Sequence, residues 1–242
     1  MKEERFFYDP EPKFHGCLSD DEAVHAIRVL RLKVGDDINV MDGNGSFHKA
    51  KIIEATKKKC EYEITESVKL SRPWNSYLHI AMAPTKNIDR TEWFIEKAVE
   101  IGIDEITLLN TNFTERKRIN DERMEKIIIS AMKQSRKAYK TKYNGMIDFS
   151  NFIDNTTSPH RFICHCHSDD NIIKIGNKTL LRDSLSNVKD VVVMIGPEGD
   201  FSLDEVFNAE NHGFISSSLG ESRLRTETAA VVAVHIMRLF TT

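Results

Sequence analysis

The chain has 242 residues, 40% of them hydrophobic and 8% aromatic, which is enough for a sizeable core in one or two domains and too apolar for a disordered chain. A formal net charge of −3 excludes nucleic-acid binding through bulk charge, so any basic surface must be local. No apolar run reaches the length of a membrane span, no apolar stretch follows the charged start Met1-Lys-Glu-Glu-Arg5, and the four cysteines form no CxxC pair; a reducing cytoplasm without membrane attachment is the expected setting.

Residues 1–70 read as β-rich. Arg5-Phe-Phe-Tyr8 is a short aromatic strand broken by Pro10 and Pro12, and Asp20–Leu30 has helical spacing of Ala23, Val24, Ile27 and Leu30. Asp36–Met41 alternates and runs into Asp42-Gly-Asn-Gly45, a hairpin signal, and Phe47–Ala55 and Cys60–Ser67 complete a meander. Short strands at regular spacing predict a small barrel, a form suited to binding. Residues 71–76, around Pro73, read as a linker, and 77–242 as a second domain.

In that second domain strands alternate with helices, which predicts an α/β fold with a mainly parallel sheet and helices on both faces. The strands are Tyr77–Ala83, Glu105–Leu109, Arg161–His167, Val191–Ile195 and Phe214–Leu219. Asp89 is placed to cap a helix running to Ile101 with Gly102 as its stop, and Asn120 to cap the next. Ser202 and Glu205 have capping-box spacing, and a last helix runs from about Thr226, a candidate N-cap, to Phe240.

Two strand–turn–helix units stand out. Ile195-Gly-Pro-Glu-Gly199 turns sharply after an apolar strand, and Leu219-Gly220 through Leu224-Arg-Thr-Glu-Thr-Ala229 repeats the arrangement. Loops at the carboxyl edge of an α/β sheet are where ligands bind, and glycines let backbone approach a ligand closely. Neither loop has the dinucleotide or P-loop fingerprint, which leaves a pocket for a flat, polar, nucleoside-type cofactor. Residues 115–143 carry ten Lys or Arg against four acids. This reads either as a solvated face or as phosphate contact that positions RNA. Cys164-His-Cys-His167 on one strand would alternate faces, so no metal site is expected there.

In order and spacing these segments resemble the RsmE family of ribosomal RNA uracil-N3 methyltransferases, of the trefoil-knotted SPOUT class. The carriers are Ile195-Gly-Pro-Glu-Gly199, Phe201-Ser202, Leu219-Gly220 and Leu224–Ala229, supported by Arg5-Phe-Phe7, His25–Arg31, Gly35-Asp36, Asp42-Gly43, Glu96–Gly102 and Gln134-Ser135. The match departs at Asp200, where most members have glycine, and at Ser222 and Arg223, where the family has an arginine and an apolar residue.

The resemblance implies a PUA-like barrel at 1–70 and a knotted methyltransferase domain at 77–242. It implies S-adenosylmethionine held by Cys166, His167, Ile195, Gly196, Pro197, Glu198, Gly199, Leu219, Gly220, Leu224, Thr228 and Ala229. It also implies a homodimer through the C-terminal domain, consistent with a last helix that is apolar nearly all round. The implied substrate is 16S ribosomal RNA or the small subunit, with U1498 of the decoding region as the family target. Arg5, Arg28, Arg31, Arg116, Arg118, Lys133, Arg136 and Lys137 are the expected RNA contacts.

Methylating N3 requires loss of its proton, so the site needs a base or a cation that favours the anion. Glu198 and Glu227 are the candidate bases and Arg225 the candidate cation; the structural alternatives are that Glu198 caps its turn and Glu227 complements a helix N-terminus. A different target atom, such as a 2′-hydroxyl or another base nitrogen, or a non-catalytic RNA- or ribosome-binding protein of the same fold, are the competing readings.

Overall fold

The computed structural model describes residues 4–56, 59–167, 178–186 and 188–241. The chain forms two compact units, one from residues 1–73 with 129–140 and one from 74–128 with 141–242.

The smaller unit holds strands β1 (Phe6–Tyr8), β2 (His15–Cys17), β3 (Asp37–Met41), β4 (Ser46–Ala55) and β5 (Cys60–Lys69) in one sheet, ordered β1-β3-β4-β5-β2. Only the β1–β3 pairing is parallel. Register shifts in the β4–β5 ladder, at Lys49/Ala50 and Ile52/Glu54, bend these long strands. The concave side buries Phe7, Ile38, Val40, Ile52 and Tyr62. Gly16 is required here: a Cβ would sit 2.2 Å from the Tyr62 ring. The segment expected as one helix over 20–30 is α1 (Asp20–Val24), capped by the Ser19 hydroxyl, followed by a π turn over His25–Val29 in which Leu30 N–H bonds His25 C=O.

The larger unit is a seven-stranded, all-parallel sheet. Its strands are β6 (Leu78–Met82), β7 (Glu105–Asn110), β8 (Lys142–Asp148), β9 (His160–Cys164), β10 (Thr179–Leu180), β11 (Val191–Ile195) and β12 (Ile215–Ser218), in the order β10-β12-β9-β11-β6-β7-β8. The helices are α2 (Ile88–Ile101), α4 (Phe149–Asn155), α5 (Leu181–Ser184), α6 (Leu203–Asn211) and α7 (Thr226–Phe240), together with the first part of α3 (Asp121–Gln134), whose residues from Ile129 belong to the smaller unit. Central β11 is Val-Val-Val-Met-Ile and fully buried, as a strand covered on both faces must be.

Alternation along β11 splits the core. Val192 and Met194 face a cluster with Phe149 and Phe152 of α4 and Val206 and Ala209 of α6, while α7 covers β6 and β11 from the other side against α2. The chain leaves the sheet at β12, next to the edge strand β10, yet returns through α7 to the sheet centre. There it also meets α5 from the segment that joins β9 to β11.

Several local expectations are corrected. Asn87, not Asp89, caps α2, its side chain accepting from Asp89 N–H at 3.1 Å, while Gly102 ends the helix at φ +112° as expected. The ninth strand stops at Cys164, so His165, Cys166 and His167 belong to the following loop and do not alternate on a strand. Thr226 is the first helical residue of α7; Arg225 occupies the cap position without a side-chain capping bond. Strand β8 and helix α4 were not anticipated.

Candidate active site

All seven parallel strands end on one edge, which brings three loops together: the end of β9 at His165–His167, the turn after β11 at Gly196–Asp200, and the loop after β12 at Leu219–Arg225. With Arg90 of α2, Lys178, and Thr226, Glu227 and Ala229 of α7, they line a cavity of about 1180 Å³.

The β11 turn is fixed by side chains from its surroundings. Glu198 Oε1 accepts the Lys86 backbone N–H at 3.0 Å, and Arg116 holds the Lys86 carbonyl through Nε and Nη2 at 3.1 and 2.8 Å. Asp200 accepts Cys166 N–H at 2.7 Å and Phe201 N–H at 2.8 Å, which joins the turn to the end of β9. The capping box follows: Ser202 Oγ accepts Glu205 N–H at 3.2 Å and Glu205 Oε2 accepts Ser202 N–H at 2.8 Å. Glu205 Oε1 also takes Asn112 N–H at 2.8 Å. Gly196 is closed in by backbone, since a Cβ there would lie 3.0 Å from Phe201 N and 3.1 Å from the Asp200 carbonyl carbon.

The β12 loop is held differently. Its side-chain hydrogen bonds among the described residues are local, Ser218 with Gly220, while Glu221, Ser222, Arg223 and Arg225 are exposed. Gly220 sits at φ +130° with nothing within 4 Å of the position a Cβ would take.

Beneath these loops lie groups whose chemistry is set by burial. His165 is 7% exposed, and burial, with the nearby Lys178 cation, holds its imidazole down to about 4. It is therefore neutral at pH 7. The Ser216 hydroxyl donates to Glu210 at 2.6 Å, so the 3.0 Å contact between His165 Nε2 and Ser216 Oγ has the ring nitrogen as donor. Burial pushes the Cys164 thiol up to about 12, which makes it a core thiol and not a nucleophile. Lys178 Nζ donates to the backbone carbonyls of His165 and His167.

Glu227 is the most unusual group. It is 8% exposed in the first turn of α7, with Oε1 3.7 Å from Arg90 Nε and Oε2 buried without a hydrogen-bond partner among the described residues. Unpartnered buried carboxylate oxygens are uncommon and mark places where a ligand or a reaction completes the set.

Residues 72–238 match the family described as the RNA methyltransferase domain, and residues 18–65 the RNA methyltransferase PUA domain. The ribosomal RNA small subunit methyltransferase E of Buchnera aphidicola (from Acyrthosiphon pisum) is 30% identical, covering 90% of this chain and 85% of its own length; that of Rickettsia conorii is 30% identical over 92% and 88%. The chain belongs to the ribosomal RNA small subunit methyltransferase E family. A probable rRNA methyltransferase from Porphyromonas gingivalis superposes with a TM-score of 0.87 at 40% identity, covering 97% of this chain and 98% of its own. The small subunit methyltransferase E of Neisseria gonorrhoeae, solved bound to S-adenosyl methionine, gives 0.79 at 25% identity over 99% and 98%.

Against the family pattern, Asp200 has a clear physical account. Its φ is +66°, the left-handed region where glycine is ordinarily found and which aspartate tolerates. The carboxylate that replaces the glycine hydrogen makes the two bonds described above. Nothing in the structure explains Ser222 or Arg223, both exposed.

Of the residues expected around a cofactor, those at the end of β9, in both loops and at Ala229 line the one cavity; Thr228 does not. The three expected catalytic residues line it too, but differ in environment: Glu198 is engaged by a backbone N–H, Glu227 has a free oxygen, and Arg225 is exposed. Arg90, Lys178 and His165 were missed. A cation in a helix's first turn, where the macrodipole disfavours it, was the available signal for Arg90.

The expected RNA contacts divide between the units. In the smaller one Arg28 and Arg31 are exposed, Arg5 is half-buried, Lys133 pairs with Glu22, and Arg136 pairs with Glu4 at 2.9 Å and lies over the Phe6 ring. Lys137 is half-buried there as well. In the larger one Arg118 is exposed, whereas Arg116 is committed to the Lys86 carbonyl. Among the described residues no helix is long and apolar enough to cross a membrane.

Proposed function

We propose that the protein transfers a methyl group from S-adenosylmethionine to N3 of a uridine in small-subunit ribosomal RNA. The observation that carries this reading is Glu227, a buried carboxylate in the cavity with one oxygen unpartnered. N3 of uracil becomes a nucleophile on losing its proton, and such a group can accept it.

The lining fits the cofactor. The cavity exceeds the usual range of about 300–1,000 Å³ for small-molecule sites, so it has room for a nucleoside with its methionine tail and a base beside it. Ile195, Leu203, Leu219, Leu224 and Ala229 offer apolar contact for adenine, and Gly196 and Gly220 allow backbone to approach it. When bound, the cofactor supplies an electrophilic methyl on a sulfonium that leaves as a neutral thioether.

The chain's own part is alignment and proton removal. The turn fixed by Glu198 and Asp200 presents a preformed wall, so the methyl group meets N3 without rearrangement. Glu227 Oε2 would take the N3 proton, leaving the N3 lone pair free to bond the methyl carbon that the cofactor would supply. Because N3 lies on the pairing edge, the target uridine is bound unpaired or flipped out.

The smaller unit is proposed as an RNA-binding domain, with Arg28 and Arg31 exposed for phosphate contact. A homodimer through the larger unit is supported by α7, which leaves Val231, Val232 and Ile236 half-exposed and Leu239 and Phe240 exposed. The proposed setting is the cytoplasm, where the ribosomal substrate is.

The test is incubation with labelled cofactor and either naked small-subunit RNA or assembled subunits, then digestion and mass spectrometry. Labelled 3-methyluridine is expected. A labelled 2′-O-methyl nucleoside or another methylated base would overturn the N3 assignment.

A further inference from the structure

The site calls for a base or a cation that favours the anion, and the sequence points to Arg225 as that cation. Arg225 is exposed at the cap position of α7. Arg90 is placed otherwise. It lies in the first turn of α2, lines the same cavity, and brings Nε to 3.7 Å from Glu227 Oε1. Helices α2 and α7 pack together, and each contributes its first turn to the cavity edge.

Arg90 is not where stability alone would put it. A cation in the first turn of a helix opposes the macrodipole. The separation is too long for a hydrogen bond, and the arginine is 41% exposed, so the pair adds little to folding. Glu227 keeps a buried oxygen without a partner, which disfavours the folded state. Two locally unfavourable choices that meet in one cavity are what a reacting site looks like.

We infer that Arg90 is a positioning residue of the methyl transfer: it holds Oε1 of Glu227 and so directs Oε2 toward the proton on the target nitrogen. The inference rests on the uridine-N3 reading. The proton passes from N3 to Oε2 and the guanidinium stays protonated throughout.

The experiment uses the full-length protein with assembled small subunits and compares the wild type with Arg90→Ala and Arg90→Lys. For Arg90→Ala we expect kcat to fall at least tenfold while cofactor affinity, by calorimetry, and KM for the subunit change less than about threefold. Arg90→Lys should recover most of the loss, since it returns a cation to Oε1. Turnover of Arg90→Ala within twofold of wild type would overturn the inference. So would a loss carried by KM or cofactor affinity, or a Lys variant as poor as the Ala variant, since a merely structural or substrate-binding arginine behaves in those ways. Nucleoside analysis of the wild-type product separates the two levels. Absence of 3-methyluridine there ends the N3 reading itself, whereas its presence with an unaffected Arg90→Ala ends only the role of Arg90.

Discussion

The two loops that face each other across the cavity are built on opposite principles. The β11 turn is tied to its surroundings at Lys86, Cys166 and Asn112 by the carboxylates of Glu198, Asp200 and Glu205. The β12 loop carries five exposed residues, and its side-chain hydrogen bonds among the described residues join Ser218 and Gly220. The contrast separates two kinds of sequence change. A departure in the fixed wall must be compatible with the geometry, and Asp200 is so through its left-handed backbone and two accepted N–H bonds. A departure in the open loop, as at Ser222 and Arg223, meets no such demand.

The largest expected effect comes from the chemistry placed between the loops. Glu227→Gln should lower single-turnover methyl transfer by about 100-fold or more, within the range for loss of a positioned base, while cofactor affinity stays within about threefold. Near-normal transfer would remove Glu227 from the mechanism and leave the cavity as a binding site only.

Acid should loosen the fixed side next. His165 is held down to about 4 in the folded chain against about 6.5 unfolded, so the unfolded state takes up the proton first. Its contribution is intact above about pH 6.5 and is lost as pH falls toward 4, by up to about 3 kcal/mol at 1.36 kcal/mol for each unit. His79, half-buried in β6 and also held down to about 4 by desolvation, titrates over the same window. Urea unfolding of His165→Gln between pH 7 and 4.5 should therefore show roughly half the wild-type slope.

Asp200→Ala should cost about 2–3 kcal/mol in the same urea experiment, from two bonds to a charged acceptor and an alanine at positive φ. Asp200→Gly should recover about 1 kcal/mol of that, because only the backbone strain is relieved. If Ala and Gly lose equally, the left-handed backbone is not what the position demands. The smallest effect belongs to the open loop: the double change Ser222→Arg with Arg223→Ile should move cofactor affinity by less than about twofold in calorimetry.

What could be read from the sequence follows the strength of local signals. The Ser202–Glu205 box and the bounds of α7 at Phe240 rest on capping chemistry and apolar periodicity, and both hold. Strand β8, Lys142-Tyr-Asn-Gly-Met-Ile-Asp148, has no apolar run because it is a half-exposed edge strand, and it sits behind a basic stretch that masked it. The end of β9 was overrun because Cys164 through His167 has no breaker; the strand ends where its ladder with β12 does, at Cys164 paired to Ser217, a tertiary fact. The two glycine loops were legible as a pair. Arg90 offered only its place in a helix's first turn and Lys178 offered nothing, because both come from distant segments that only the sheet order brings to the same edge.

We propose that the fixed turn and the open loop together hold S-adenosylmethionine. The direct measurement is calorimetric titration of that cofactor into the wild type, Gly196→Ala and Gly220→Ala, with circular dichroism on each to confirm folding. The account predicts saturable binding by the wild type and a loss of at least tenfold in Gly196→Ala, whose Cβ would meet backbone at 3.0 Å. It predicts a smaller loss in Gly220→Ala, where only the φ of +130° is strained. No uptake by the folded wild type, or Gly196→Ala binding as well as wild type, would contradict it.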